Sequence, residues 1–396
     1  MVLRILYILL LTLVIPDTYL YFKLMYRKER PLWAQIAFFL PNTILLLSAL
    51  LLAVTESHTP ENMTLMMIFF NMYMLVALPK TLFMMLDIIG LGLGLIFKKI
   101  KKAFTVFSTI ISVSLFIIML IGMTYGPSHL VVKEVEYNSK DLPASFDGYR
   151  IVQFTDMHLT SFRNRPHIVD HIVQTILDQK ADMIVFTGDL VSTDVDEMDG
   201  FEEPLSRLWA PDGVYAVLGN HDYLTYARYL SHKEQAVHRQ QLRQRITSLG
   251  WNLMLNSNQV IRRGQDSIAI VGVENDGQPP FPERGDLKKA LQNIPGYGQS
   301  ASSSGFFKIL LSHDPTHWRR KVLPQTDIQL TLSGHTHGMQ FILFGWSPSC
   351  LFYPEWRGLY TENGRGLHVS LGIGGALLPF RFGAWPEINV ITLHRK

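Results

Sequence analysis

The chain has 396 residues, of which 48% are hydrophobic and only 17% are charged, where about a quarter is usual in a soluble protein. The formal net charge of +3, with no lysine- and arginine-rich stripe between aromatic residues, argues against a nucleic-acid-binding protein. Cys350 is the only cysteine, so an intrachain disulfide and a cysteine metal cluster are both excluded.

The apolar residues are concentrated in residues 1–127, which predict a transmembrane region of about four helices. A helix needs ~20 apolar residues to cross the hydrocarbon core of a bilayer. The first candidate is the weakest, because Pro16 and Asp17 interrupt it, and a signal peptide is the alternative. We favour a retained helix, since no small-residue cleavage site is found and further spans follow. The predicted helices are 5–22, 32–55, 62–79 and 104–127.

Lysine and arginine near the ends of spans mark the cytoplasmic side of a membrane. Two loops are basic, Lys23–Arg30 and Lys98–Lys102, whereas the loop at 56–61 holds two acids and no lysine or arginine. This asymmetry predicts a multi-pass protein of the plasma or inner membrane, with the rest of the chain outside the cytoplasm. The segment Thr81–Phe97 is ambiguous, because as a fifth span it would reverse that orientation. We favour a continuation of the third helix, since Asp87 lies near the middle of this segment.

Residues 128–148 are predicted to form a linker and a first strand, and residues 149–396 a water-soluble domain. Short β runs alternate there with helical segments, a pattern typical of α/β layers. The Gly/Ser-rich segment 296–305 is predicted to be a surface loop. The predicted helices are 167–179 and 226–249, and the predicted strands are 151–154, 183–186, 214–218, 268–273, 308–311, 328–332, 367–371 and 388–393.

Five polar fragments follow apolar β runs, at the points where those strands end. Side chains alternate across a strand, so Asp156 and His158 are expected to point the same way. Carboxylates and imidazoles suit zinc, manganese or iron, and no thiolate is offered. Two such ions ~3.5–4 Å apart can clamp a phosphoryl group, and Asp189 is the candidate for the carboxylate that bridges them. The fragments are Asp156-Met157-His158, Gly188-Asp189, Gly219-Asn220-His221-Asp222, Ser312-His313-Asp314 and Gly334-His335-Thr336-His337-Gly338.

This series resembles the calcineurin-like metallophosphoesterase superfamily, whose fragments D-x-H, G-D, G-N-H-D/E, H and G-H-x-H all occur here in order. Residues 333–340 and 378–383 look like its membrane-anchored, phosphodiesterase-type branch. Met339 stands where a second glycine is common, a departure that removes no ligand. The resemblance covers residues ~145–396 and implies an α/β domain made of a two-sheet β-sandwich flanked by helices.

The resemblance also implies roles for individual residues. Asp189 would bridge the two metal ions, and His221 would face the substrate as a general acid, oriented by Asp222. We further expect Arg381 to bind a substrate phosphate. The remaining implied ligands are Asp156, His158 and His337 for the first ion, and Asn220, His313 and His335 for the second.

Together these features predict a membrane-anchored hydrolase with two divalent metal ions, either manganese, zinc or iron. It would cleave a phosphoester, with a phosphodiester or a lipid-linked pyrophosphate as the expected substrate, by attack of a metal-bridging hydroxide. The lipid bilayer is an expected partner. The alternative is a non-catalytic membrane receptor that retains the metal-binding fold. A transporter is disfavoured, because the spans are few and show no internal repeat.

Overall fold

The computed structural model describes residues 8–26, 30–54, 60–163, 165–227, 229–294, 306–376 and 378–396. The chain divides into two compact units, Met1–Tyr125 and Gly126–Lys396. Several predicted segments fall wholly or partly outside the described residues. They are residues 5–7 of the first helix, 27–29 of the first basic loop, 56–59 of the acidic loop and the surface loop 296–305.

The described part of the first unit is helical. A π-helical turn, Leu10–Val14, leads into α1 (Ile15–Leu24). Within the described residues, three helices are long and apolar enough to cross a membrane. They are α2 (Leu32–Val54), α3 (Pro60–Ile96) and α4 (Ile100–Thr124).

Helix α3 has 37 residues and is therefore ~55 Å long. It runs through Pro79 without a break, so residues 81–96 continue the same helix. Two ion pairs join it to α1: Lys80 lies 2.8 Å from Asp17, and Asp87 pairs with Lys23. Because both acids are almost fully buried, pairing offsets the cost of placing their charges in an apolar bundle. The order of the two pairs shows that α1 and α3 run parallel.

The described part of the second unit contains twelve strands. In chain order they are β1 (Val131–Ser139), β2 (Tyr149–Phe154), β3 (Met183–Phe186), β4 (Val214–Ala216), β5 (Asn252–Leu253), β6 (Ser257–Arg263), β7 (Asp266–Gly272), β8 (Phe307–Leu311), β9 (Leu330–Ser333), β10 (Gly358–Glu362), β11 (Arg365–Val369) and β12 (Glu387–Arg395). They form two six-stranded sheets, of order β1-β12-β2-β3-β4-β5 and β10-β11-β9-β8-β7-β6. The predicted fold class, apolar helices followed by a two-sheet α/β domain, is thereby confirmed.

Alternation along the strands divides the core into layers. In β2, Ile151 packs between the two sheets, whereas Val152 and Phe154 pack on the outer face against helical residues such as Ile172. Trp318 belongs to a third layer, outside the second sheet. The described helices of this unit are α5 (Pro166–Asp178), α6 (Glu202–Ser206), α7 (His232–Ser248), α8 (Leu287–Ala290) and α9 (Leu323–Gln325).

The direction of the central strands determines where the polar loops meet. In the first sheet β2, β3 and β4 are parallel, and in the second sheet β8 and β9 are parallel. The carboxyl ends of neighbouring parallel strands lie along one edge of a sheet, which is where ligands bind in α/β folds. The five polar fragments follow the carboxyl ends of these five strands.

Candidate metal centre

The loops after these five strands bring six of the seven predicted ligands together, and Asn220 lies beside His221 on the same loop. Asp156 and His158 follow β2, Asp189 follows β3 and Asn220 follows β4. Three overlapping groups of histidine and aspartate side chains offer ligand atoms that lie within 4.8 Å of one another in each group. The groups are Asp156, His158 and His337; His158, Asp189 and His221; and Asp189, His313 and His335.

The backbone of these loops is unusual for residues other than glycine. Five of the seven predicted ligands have a positive φ, a conformation that costs a non-glycine residue about 1–2 kcal/mol. Local sequence preference does not explain this concentration of strain at one place, whereas a need to aim side chains at a common point does. The five values are 53° for Asp156, 42° for His158, 59° for Asp189, 74° for His335 and 50° for His337.

Two glycines allow the carboxylates to approach the neighbouring loops. A β-carbon at Gly219 would lie 2.1 Å from Oδ1 of Asp189, and one at Gly334 would lie 2.3 Å from Oδ2 of Asp156. Both distances are far below van der Waals contact. Any larger residue at either position would therefore displace a carboxylate from the centre.

The donor atoms face one another at short range. His158 Nε2 lies 3.2 Å from His337 Nε2, and His337 Nε2 lies 3.2 Å from Oδ1 of Asp156. On the other side, His313 Nε2 lies 3.2 Å from Oδ2 of Asp189, and its Nδ1 donates to the Thr187 carbonyl. Ring nitrogens turned towards each other and towards buried carboxylates form a donor set that fits cations.

The side chain of Asn220 is independent evidence that this site binds a cation. Its Nδ2 donates to the Tyr226 hydroxyl at 3.1 Å, while its buried Oδ1 has no hydrogen-bond partner among the described residues. A buried oxygen without a partner costs about 1–3 kcal/mol. Coordination of a cation would satisfy it. The residues present therefore fit a centre for divalent metal ions.

The two carboxylates are ionised despite complete burial. Burial alone would raise the pKa of Asp156 and Asp189, but the surrounding histidines lower both below the usual range. Burial and the proximity of His221 hold the pKa of His158 well below its usual value, so its ring is neutral at pH 7. Burial lowers the pKa of His313, yet pairing with Asp189 outweighs it and raises the pKa to about 10. Metal binding at His313 must therefore release a proton.

The loop that carries His221 is fixed differently from the prediction. The His221 Nδ1–H donates to the Ser192 carbonyl at 2.7 Å, so this carbonyl orients the ring. Asp222 instead accepts backbone N–H groups of Asp189, Leu190, Val191 and Gly219 at 2.8–3.2 Å. Burial and Asp189 raise the pKa of Asp222 to about 7, against these four hydrogen bonds, which favour its ionised form. Asp222 thus holds the loops of Asp189 and Asn220 together.

Arg381 occupies a place other than the expected contact to substrate. Its side chain is buried, and its guanidinium donates to the carbonyls of Leu371, Gly374 and Ala384 at 2.6–3.1 Å. Nη2 also lies 3.1 Å from His337 Nδ1. The N–H donors of the guanidinium are thus bound to groups inside the protein. Arg381 is therefore not the phosphate-binding residue that was expected.

Three aromatic side chains near the centre were not predicted from the sequence, and we call them the aromatic rim. The Tyr353 hydroxyl lies 3.0 Å from His335 Nε2, and burial raises the pKa of this phenol to about 12. The Phe281 ring packs edge-on against His335, with centroids 4.6 Å apart. The Tyr226 ring lies 4.4 Å from that of His221. All three belong to loops without a motif, so no local pattern pointed to them.

Comparison with known proteins finds a family and several relatives that this chain resembles. The model of the calcineurin-like phosphoesterase family matches residues 149–339. The chain is 31% identical to the metallophosphoesterase YkuE of Bacillus subtilis over 283 residues, which are 67% of this chain and 86% of that protein. It is 28% identical over 301 residues to a transmembrane protein with metallophosphoesterase domain of Danio rerio, covering 73% of this chain but only 62% of that protein. UDP-2,3-diacylglucosamine pyrophosphatase LpxG of Chlamydia trachomatis is 28% identical over 312 residues, covering 66% of this chain and 88% of LpxG.

Proposed function

Because the chain belongs to the calcineurin-like metallophosphoesterase family, which consists of metal-dependent hydrolases, we propose that it cleaves a phosphodiester or a lipid-linked pyrophosphate. The placement of Asp189 is the observation that carries this proposal. Its buried Oδ2 lies 3.7 Å from Nε2 of His158, a potential ligand of one ion, and 3.2 Å from Nε2 of His313, a potential ligand of the other. A carboxylate shared by two ions has this arrangement.

The donor set supports two divalent ions, and carboxylate, amide and imidazole donors suit manganese, zinc or iron. Ions of this kind polarise phosphoryl oxygens and lower the pKa of a water molecule towards neutrality. The side chains that would hold them are Asp156, His158 and His337 for one ion, Asn220, His313 and His335 for the other, and Asp189 for both.

His221 is the group proposed to move a proton. It is half-buried, whereas the potential ligands around it, such as His158 and Asp189, are fully buried, so His221 lies on the more open side of the centre. The Ser192 carbonyl holds its Nδ1–H, which leaves Nε2 for a reacting group. From there Nε2–H can donate to the oxygen that leaves phosphorus, a contribution of ~10²–10⁴-fold.

The aromatic rim limits the access of water to the metal centre. Phe281 and Tyr353 pack on His335 from two directions, and Tyr226 packs on His221 while binding the amide of Asn220. These contacts fix the rings whose nitrogens face the centre. They also surround it with apolar surface, which strengthens hydrogen bonds to a phosphoryl group.

Membrane anchorage supports a substrate that is itself linked to lipid. Three candidate spans precede the domain, and the name of the relative LpxG describes a pyrophosphatase that acts on a diacylated nucleotide sugar. We place the domain outside the cytoplasm. The ion pair between Lys23 and Asp87 supports this, because it puts the basic end of α1 at the same end of the helix bundle as the basic loop after α3.

The proposal is tested with the full chain in detergent, loaded with manganese, zinc or iron. The substrates are p-nitrophenyl phosphate, bis-p-nitrophenyl phosphate and a UDP-linked diacylated sugar. We expect the diester or the pyrophosphate to be cleaved faster than the monoester. His368→Gln is the matched control for substitutions of histidines in the centre, since His368 is a buried histidine outside it. A chain that binds two ions but hydrolyses none of the three would contradict the proposal and favour the non-catalytic receptor.

A further inference from the structure

A loop beside the metal centre exposes large apolar side chains. Residues 339–353, which we call the apolar loop, contain no aspartate, glutamate, lysine, arginine or histidine. Phe344 is 99% exposed and Leu351 is 71% exposed. Several large apolar side chains exposed within one loop mark an interaction site, whereas single exposed hydrophobic residues are ordinary. The large exposed members are Met339, Phe344, Trp346, Leu351 and Phe352.

The exposure is built into the backbone. Leu343 and Trp346 exchange two backbone hydrogen bonds of 2.9 and 3.0 Å, so a tight turn places Phe344 and Gly345 at its tip. Phe344 has a φ of 50°, a conformation that is rare and costly for a bulky residue. The Ser347 hydroxyl donates to the Gly338 carbonyl at 2.6 Å and fixes the base of the turn. The turn is therefore ordered and displays its phenylalanine to solvent.

The apolar loop lies close to the point where the second unit begins. The backbone of Ile342 donates to Phe382 at 2.7 Å, and the rings of Phe341 and Phe382 stack. The adjoining Arg381 carbonyl abuts Gly126, since a β-carbon there would lie 1.8 Å from its oxygen. Phe344 is two residues beyond Ile342, a reach of at most ~7 Å.

Gly126, the first residue of the second unit, is tethered to the membrane by the chain itself. Helix α4, the last candidate span, ends at Thr124, two residues before Gly126. The chain itself therefore keeps Gly126 within a few residues of the end of that span. The apolar loop belongs to the same unit as Gly126 and lies one paired segment away from it.

We propose that the apolar loop inserts into the interface of the phospholipid bilayer that this chain's own helices span. Tryptophan, phenylalanine and leucine are the side chains that favour that region. The charged side chain of Arg357 contacts the turn and donates to the Gly345 carbonyl at 3.4 Å. Its positive charge complements anionic lipid headgroups.

Insertion of the apolar loop would also set the position of the metal centre relative to the bilayer, a consequence that rests on the proposed function. The apolar loop begins two residues after His337 and ends at Tyr353, whose hydroxyl contacts His335. Insertion of the loop would therefore hold the mouth of the centre at the level of the lipid headgroups. A phosphate ester in the plane of the membrane could then reach it without leaving the bilayer.

The test measures depth in the membrane and needs no activity. Cys350, the single cysteine, lies exposed within the apolar loop and accepts a nitroxide label. The labelled full chain is reconstituted in liposomes of neutral and anionic phospholipid, and collisions with oxygen and with a water-soluble nickel chelate are compared. We expect frequent oxygen collisions and few nickel collisions. The matched control is Ser206→Cys in a Cys350→Ser background, an isosteric exchange at an exposed position that should show the reverse.

The proposal would be overturned if the label at Cys350 showed the same few oxygen collisions and frequent nickel collisions as the label at Ser206→Cys. Shielding from both reagents that grows with the number of chains per vesicle would also overturn it, because a second copy would then cover the loop. Phe344→Asp should return the label to water while the metal content and the hydrolysis of a soluble phosphodiester stay unchanged. If Phe344→Asp perturbs the fold, Phe344→Ser replaces it with the same expected shift.

Discussion

Arg381 and His337 are in contact: Nη2 of the guanidinium lies 3.1 Å from Nδ1 of the ring. The same guanidinium binds the carbonyls of Leu371, Gly374 and Ala384. Arg381 therefore links the C-terminal loop to one side of the metal centre. A guanidinium only donates, so this contact is not the N–H···acceptor bond that usually orients a metal-binding histidine, and it acts through the position of the loop behind the ring.

Replacing Arg381 by methionine should damage both stability and metal binding. Several buried carbonyls would lose their donors, at about 1–3 kcal/mol each. Affinity for the ion next to His337 should fall as well, because the C-terminal loop behind this ring loses the side chain that ties it to residues 371 and 374. Urea unfolding and elemental analysis measure the two effects, and Arg381→Lys should be milder. An unchanged metal content with a raised KM alone would restore the originally expected phosphate contact.

Asp189→Asn should remove more metal than any other single substitution in the centre. The carboxylate belongs to two groups of potential ligands, and an amide is a weaker ligand without charge. Elemental analysis should find at most one ion per chain, and turnover should fall at least ~10²-fold. Asp314→Asn, a change at a buried acid next to His313, is the comparison. Two tightly bound ions in Asp189→Asn would exclude the bridging role.

His221→Ala should separate proton transfer from metal binding. Both ions should remain, while turnover of an alkyl phosphodiester falls by ~10²–10⁴-fold. The loss should be much smaller with a p-nitrophenyl ester, because that leaving group departs without being protonated. Comparing the two substrates in the same preparation provides the control. Equal losses with both esters, or loss of the ions, would show that His221 is not the general acid.

Lowering the pH should destabilise the second unit through His368. Burial lowers the pKa of this histidine to about 4, from ~6.5 in the unfolded chain. The folded state therefore favours the neutral ring, and the stability this provides is present above pH ~6.5 and is lost as the pH falls towards 4. The full effect is about 3 kcal/mol. In His368→Gln, which can still donate to Oε1 of Gln153, unfolding should depend less on pH in this window. An unchanged pH dependence would contradict the assignment.

The sequence predicted the strand ends well because each ligand is tied to a local pattern. Asp156 follows an apolar run that is indeed strand β2, and the parallel arrangement of β2 and β3 brings it to Asp189. Tertiary contacts, by contrast, had no local signal. The burial of Arg381 depends on carbonyls supplied by its own loop and by residues 371 and 374. Tyr353 contacts His335 from 18 positions further along the chain.

The membrane half was predictable in length but not in detail. Apolar composition located the long helices, because crossing a bilayer requires a minimum number of apolar residues. The two acids within apolar segments could not be interpreted without their partners. Asp17 and Asp87 lie on different helices from Lys80 and Lys23, and only the fold pairs them.

The fifth prediction is that the second unit lies outside the cytoplasm. Helices α1 and α3 are parallel, so Lys23 at the end of α1 and the lysines at 98–102 lie at one end of the bundle. Such a concentration of lysine and arginine marks the cytoplasmic end. Helix α4 then leads away from that end, which places the residues after Thr124 on the opposite side.

A membrane-impermeant maleimide applied to intact cells tests this orientation. In a Cys350→Ser background, Ser206→Cys reports on the domain and Lys99→Cys on the basic loop, and both positions are exposed. Ser206→Cys should react in intact cells, whereas Lys99→Cys should react only after the membrane is permeabilised. Position 206 is preferred to Cys350 because insertion of the apolar loop would shield the latter. The reverse pattern would place the domain in the cytoplasm, where a nucleotide-linked lipid precursor becomes the better candidate substrate.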